Sequence, residues 1–249
     1  MTHPSPDRLS APPLTRGPDP AQPRDPADLP DAVLWDMDGT MVDTEPYWIA
    51  EEHELVEAAG GVWTEQDAHD LVGQDLRVSA RMILERTPVT GTIDDVVHAL
   101  LAGVVRRTRE HMPWRPGARE LLAELGAAQV PSALVTMSWA PLADVLVEQL
   151  PEGTFATVVT GDQVARGKPH PDPYLEAATR LGVEPARCVA LEDSPTGAAS
   201  ATAAGVPTLV VPHTVPVAQM PGARQLTTLE GVRAQDLVRL APRAAGTTA

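Results

Sequence analysis

The chain is poor in four residue types at once: among 249 residues it has no asparagine, one cysteine, one lysine and one phenylalanine. With Cys188 alone, no disulfide can form within the chain, which suits a reducing compartment, and a cytoplasmic protein is expected. Cys188 falls in the apolar run 187–191, where a small buried side chain is a simpler reading than redox or metal chemistry. No apolar stretch approaches the roughly 20 residues of a membrane span, and the N-terminus lacks the apolar centre of a secretory signal, so neither membrane nor export is expected. Basic charge is also scarce. Nineteen Lys and Arg against 34 Asp and Glu give a net charge of −15, so the surface repels polyanions and no nucleic-acid partner is expected. Any phosphate the protein binds must be held by local groups. Because 18 of the basic residues are arginine, as a coding bias would produce, the single Lys168 stands out.

What is present divides into tails and a regular middle. Nine of the first 30 residues are proline, with almost no large apolar side chain between them, so residues 1–30 bury too little to offset their ordering entropy and are expected to be disordered. Residues 241–249 are small and polar in the same way. Between them, apolar runs rich in Val, Leu and Ala recur at 32–35, 132–135, 157–160, 187–191 and 208–211 without polar alternation, the pattern of buried parallel strands. Helix-period segments at 118–128, 141–150, 173–181 and 195–204 lie between the later runs. Alternating strand and helix predict an α/β doubly wound, Rossmann-like parallel sheet. The connection from the first run to the second is far longer than an ordinary strand–helix loop and is itself helical in pattern, at 45–59, 65–72, 76–87 and 93–112. Residues 46–113 are therefore expected to form an inserted small α-helical cap domain, with 31–45 and 114–240 as the core; a monomer is expected.

In an open parallel sheet, ligands sit beyond the carboxyl ends of the strands. The polar residues just after the apolar runs are Asp36 and Asp38, Thr136, and Glu192 and Asp193. Asp36-Met37-Asp38-Gly39-Thr40 sets two carboxylates at one strand end, with Gly39 letting the backbone turn away. Val135-Thr136-Met137-Ser138 offers a hydroxyl and following backbone N–H groups to phosphate oxygens. Gly167-Lys168-Pro169-His170-Pro171 pins the only lysine in a tight loop, where His170 reads as a turn residue. Leu191-Glu192-Asp193-Ser194 pairs carboxylates where a hard cation with oxygen ligands would suit them. Each piece also has a plain structural reading: a turn at Asp38-Gly39, a surface lysine, a helix cap at Asp193 or Ser194.

Taken in order, the four pieces resemble the haloacid dehalogenase superfamily of phosphohydrolases, over residues 31–240, in the subgroup with a helical cap between the first and second motifs. The resemblance implies that Asp36 is a nucleophile, Asp38 a general acid and base, and Thr136, Met137 and Lys168 the phosphate holders. It implies Mg²⁺ on Asp36, Asp193 and the Asp38 carbonyl, with Glu192 meeting the metal through water. Asp43 and Thr44 would cap the first cap helix, with Pro46 in its first turn. Selectivity would come from cap residues, with Trp48, Gln74, Asp75 and Arg77 as candidates.

Within the superfamily the sequence looks like the β-phosphoglucomutase-like branch, but Trp48 stands where the mutases carry a histidine that assists phosphoryl return. That departure favours hydrolysis of a small phosphate ester over isomerisation, and Glu45-Pro46-Tyr47-Trp48 is similar to hexose and hexitol phosphate phosphatases. A phosphosugar mutase is the alternative. Dehalogenation needs neither a metal pair nor an acid two residues after the nucleophile. A receiver-like phospho-aspartate switch shares the Asp, Thr and Lys but lacks a long helical insert and a second aspartate at that spacing.

Overall fold

A computed structural model describes residues 29–72 and 75–242. The stretches expected to be disordered fall outside it up to residue 28 and from residue 243, as does Gln74. Six strands form one sheet: β1 (Ala32–Trp35), β2 (Ser132–Val135), β3 (Thr157–Val159), β4 (Cys188–Glu192), β5 (Thr208–Val210) and β6 (Ala223–Gln225). Their order is β3-β2-β1-β4-β5-β6, with every neighbouring pair parallel. The chain thus starts in the middle, winds outward to one edge and then returns to build the other, which makes β1 and β4 adjacent and leaves a crevice where the winding reverses.

Burial explains why these segments are strands. β1, β2 and β4 are buried along their whole length, so both faces must be apolar and no polar alternation survives. Alternate side chains then feed two different cores. Val33 and Trp35 join Leu121, Leu125, Leu142 and Leu146 on one side. Ala32 and Leu34 join Tyr174, Ala177 and Ala201 on the other. The first side is supplied by α5 (Ala118–Ala127), α6 (Ala140–Glu148) and α9 (Leu237–Leu240), the second by α7 (Asp172–Leu181) and α8 (Pro195–Ala203). The edge strand β6 was not among the expected strands. Its three residues, Ala-Arg-Gln, are half-buried to exposed, so no apolar run announces it.

Between β1 and β2 the chain forms α1 (Glu45–Ala58), α2 (Glu65–Leu71), α3 (Leu76–Arg86) and α4 (Ile93–Glu110). These four helices enclose an apolar cluster of their own, around Val56, Trp63, Leu71, Ile83, Val97 and Leu100. The later end of α4 extends into the main core through Leu101 and Val104 and packs on α6. Local chemistry fixes the starts. Thr64 and Thr92 each close a capping box with Asp67 and Asp95, and the Asp75 carboxylate accepts from the Arg77 and Val78 amides, satisfying donors that a helix start leaves unpaired. The expected caps of α1 are corrected. Thr44 occupies the cap position and Pro46 the first turn, yet the Thr44 hydroxyl makes no bond to the helix and donates instead to Asp38. Asp43 lies 3.0 Å from His213 Nε2. Among the described residues no helix is long and apolar enough to cross a membrane.

Leu134 is fully buried on the central strand β2. Its truncation to alanine should lower unfolding free energy by about 2–5 kcal/mol, through lost transfer energy and the cavity left behind. Val62→Ala, at a site 81% exposed, should stay within about 0.5 kcal/mol. Chemical denaturation of both variants checks the pair.

Candidate active site

The carboxyl ends of β1, β2 and β4 meet beneath the helical insert. The Asp36 amide bonds to Leu191 O at 3.0 Å and the Thr136 amide to Val159 O at 2.9 Å, so the ladder runs to the last strand residues and then releases the chain. After Asp36 the backbone turns within six residues: the amides of Met41 and Val42 return to Met37 O, and the Gly39 amide bonds to Val42 O at 2.7 Å. Gly39 has φ +84°, and a Cβ there would lie 2.1 Å from Asp193 Oδ2. The turn needs glycine twice over, for its backbone angle and for the approach of the β4 carboxylate.

These turns gather the expected residues into one place. Lys168 Nζ donates to Asp36 Oδ1 and to Glu192 Oε1, both at 2.6 Å. Asp36, Glu192 and Asp193 each offer an oxygen, and those oxygens all lie within 4.8 Å of one another. Asp36 Oδ2 and Thr40 Oγ1 are buried without a hydrogen-bond partner among the described residues. Asp38 is held on both oxygens, by the Thr44 hydroxyl on Oδ1 and by Ser138 Oγ at 2.7 Å and Thr136 Oγ1 at 3.3 Å on Oδ2. Thr136 also accepts from the Ser138 amide at 3.0 Å. The sulfur of Met137 accepts from the Lys168 amide at 3.2 Å, tying the second motif to the lysine loop. His170 sits in a turn, its amide bonded to Gly167 O at 3.0 Å.

Asp36, Asp38, Thr136, Met137, Lys168, Asp193, Trp48 and Asp75 all line one cleft of about 420 Å³ between the sheet end and the insert. Glu192 lies just below it, fully buried. Two candidates remain. Gln74 lies outside the described residues. Arg77 is half exposed, pairs with Asp94 at 2.5 Å and does not line the cleft. Asp75 does line it, but its carboxylate is occupied as the cap of α3. A larger cavity, of about 620 Å³, lies around Ser132, Ala156 and Leu150 at the opposite end of β2 and β3, away from the strand ends where ligands bind in this architecture.

Three polar residues of the site were not expected from the sequence. Tyr174 donates to Glu192 Oε1 at 2.6 Å and places its ring 5.2 Å from the Lys168 ammonium; on the sequence it is one apolar position of a helix. Thr44 and Ser138 hold Asp38. The only signal available for them was their closeness to the first and second motifs.

The electrostatics follow from burying four carboxyls around one ammonium. Burial, and after it the neighbouring carboxylates, push the Asp193 carboxyl well above its usual range. Asp36 is raised by burial as well, against the pull of Lys168. Burial raises Asp38, while the bonds from Thr44, Ser138 and Thr136 work the other way. Burial pulls the Lys168 ammonium down, but Asp36 and Glu192 outweigh it and hold its pKa above the ordinary lysine value. With all four carboxyls ionised, the cluster would carry more negative charge than its one cation can balance. A divalent cation with oxygen ligands answers that excess, and the Asp36, Glu192 and Asp193 oxygens that lie together, with one Asp36 oxygen partnerless among the described residues, fit one.

Comparison with known proteins points the same way. A family model described as haloacid dehalogenase-like hydrolase matches residues 33–211, from β1 through β5. Hexitol phosphatase B of Escherichia coli (strain K12) is 29% identical over 184 residues, covering 73% of this chain and 83% of its own. The phosphorylated carbohydrates phosphatase of Thermotoga maritima is 30% identical over 177 residues, covering 71% and 82%. Among solved structures, CbbY from Rhodobacter sphaeroides in complex with phosphate superposes with a TM-score of 0.75 at 28% identity, over 82% of this chain and 96% of that one.

Gly39→Ala should drive the Asp193 carboxylate away from Asp36. The expected outcome is at least about tenfold weaker Mg²⁺ binding by calorimetric titration, in the range found when groups that orient metal ligands are disturbed, with the circular dichroism spectrum retained. Unchanged affinity would contradict the geometry.

Proposed function

This chain belongs to the haloacid dehalogenase-like hydrolases, and on that footing we propose that it is a Mg²⁺-dependent phosphatase acting on a small phosphate monoester, a sugar or polyol phosphate, through an aspartyl-phosphate on Asp36. The observation that carries the reading is the Asp36 carboxylate: one oxygen is bound by Lys168 and the other is buried beside the cleft with no partner among the described residues. An unpaired oxygen of that kind is costly unless it has a use.

In this reading Asp36 attacks phosphorus, forming an acyl phosphate as the bond to the leaving alkoxide breaks. Asp38 arrives protonated, as its raised pKa supports, and gives its proton to the alkoxide. The carboxylate so formed takes a proton from the water that then attacks the phosphorus of the acyl phosphate, returning Asp36. Thr44 and Ser138 fix Asp38 for both steps, and the Thr136 hydroxyl, 3.3 Å from Asp38, turns its one hydrogen to the substrate when it binds. Lys168, the Thr136 hydroxyl and the backbone at Met137 hold the phosphoryl oxygens, and Lys168 keeps Asp36 and Glu192 together. Asp36, Asp193 and the Asp38 carbonyl would hold Mg²⁺, with Glu192 meeting it through water. When bound, the ion supplies the positive charge that lets a carboxylate approach a phosphate dianion.

The division of labour follows. Residues 31–45 and 114–240 form the core that recognises phosphate, and residues 46–113 form a cap that closes over the leaving group. Trp48, on the cap wall, has no acid or base to help return a phosphoryl group to a sugar, which supports hydrolysis over isomerisation. The sugar and polyol reading is supported by the similarity to a hexitol phosphatase and a phosphorylated carbohydrates phosphatase.

Turnover of an aryl phosphate with Mg²⁺ should vanish in chelator and return when Mg²⁺ is added back. Asp36→Asn should lower it by at least about a thousandfold, as removal of a nucleophile does elsewhere. Undiminished activity in that variant would remove the mechanism.

A further inference from the structure

The insert's wall of the cleft has a chemistry of its own. Glu45, Trp48 and Glu52 are spaced i, i+3 and i+7 along α1, which sets them on one stripe of the helix, and all three line the cleft that holds Asp36 and Lys168. Glu52 is 5% exposed. Its Oε2 accepts from Trp63 Nε1 at 3.2 Å. Among the described residues no other hydrogen bond reaches this carboxyl, and none reaches Glu45, so Glu52 Oε1 and both oxygens of Glu45 are left for a ligand.

Among the described residues no free cation stands near them. Of the described residues lining the cleft, the basic ones are Lys168, occupied by Asp36 and Glu192, and His213, 3.0 Å from Asp43. Arg77 is turned to Asp94 outside the lining. Burial raises both carboxyls toward the protonated form, Glu45 to about 7 and Glu52 to about 8. A protonated carboxyl both donates and accepts, which is what a hydroxyl requires of a partner. A second phosphate on this wall would meet carboxyls and no positive charge.

We propose that Glu52, steadied by Trp63, and Glu45 are specificity-determining residues that bind the hydroxyls of an uncharged polyol or sugar tail and reject a substrate carrying a second phosphate. The proposal rests on the phosphatase reading above and narrows it to monophosphates.

The test compares kcat/KM for a hexitol monophosphate, the matching bisphosphate, an amino-sugar phosphate and an aryl phosphate, in wild type, Glu52→Leu and Glu52→Gln. Wild type should favour the hexitol monophosphate over the bisphosphate by at least about tenfold, and Glu52→Leu should lower the hexitol-to-aryl ratio about tenfold, chiefly through KM, as loss of one buried hydrogen bond would. Glu52→Gln should keep most of that ratio, since an amide still donates and accepts and can still meet Trp63. An unchanged ratio in Glu52→Leu, or a wild-type preference for the bisphosphate or the amino-sugar phosphate, would overturn the proposal. Absence of aryl phosphate turnover by wild type would instead remove the phosphatase reading, and this inference with it.

Discussion

One ammonium among four carboxyls sets the terms for this molecule. Lys168 bridges Asp36 at the end of β1 and Glu192 at the end of β4, at 2.6 Å to each, and both carboxylates are almost wholly withdrawn from water. Neither would be tolerated there alone, because a buried carboxylate without a partner protonates or unfolds its surroundings. The surrounding architecture reads as support for that bridge. The adjacency of β1 and β4 brings the two acids together, Tyr174 gives Glu192 a further bond, and Gly197 clears room for it, since a Cβ there would sit 1.9 Å from Glu192 Oε2. Met137 anchors the backbone of the lysine itself.

The bridge leaves an imbalance that gives the site its chemical character. Lys168 neutralises at most part of the charge of Asp36, Asp38, Glu192 and Asp193, and burial raises the first two aspartates and Asp193 toward protonation. A phosphate ester alone would make the repulsion worse; a divalent ion entering with it would reverse the sign of the local field. In the proposed mechanism the cation and the substrate depend on each other for this reason. Helix α1 adds a second group of acids on the opposite wall, where burial raises Glu45 and Glu52 toward the protonated form.

The placement of the candidate residues at strand ends was legible in the sequence because they follow closely on buried apolar runs. Asp36 after Trp35, Thr136 after Val135 and Asp193 after Glu192 are fixed by where the ladder stops, and the scarcity of lysine made Lys168 conspicuous. The four helices between β1 and β2 were legible from their helical period and from the glycines Gly60-Gly61, Gly73 and Gly91 that separate the stretches in the sequence. What escaped were residues whose role depends on pairing across the fold. Tyr174 and Glu192 are 18 residues apart and Trp63 and Glu52 are 11 apart, and no local pattern relates them. Thr44 looked like a cap, but its backbone is already helical, at φ −87° and ψ −8°, rather than extended as a capping residue's is, so its hydroxyl does not meet the helix amides and serves Asp38. Arg77 looked available for substrate and is taken by Asp94, and β6 is too short and too exposed to stand out from a loop.

The account turns on a covalent phosphoryl group carried by Asp36. Acid quenching of the enzyme during steady turnover of a sugar monophosphate with Mg²⁺, followed by peptide mapping by mass spectrometry, measures this directly. The account predicts phosphate on the peptide that contains Asp36, dependent on Mg²⁺ and lost when turnover is allowed to finish. Rapid product formation with that peptide never phosphorylated, under quench conditions that preserve an acyl phosphate standard, would contradict it.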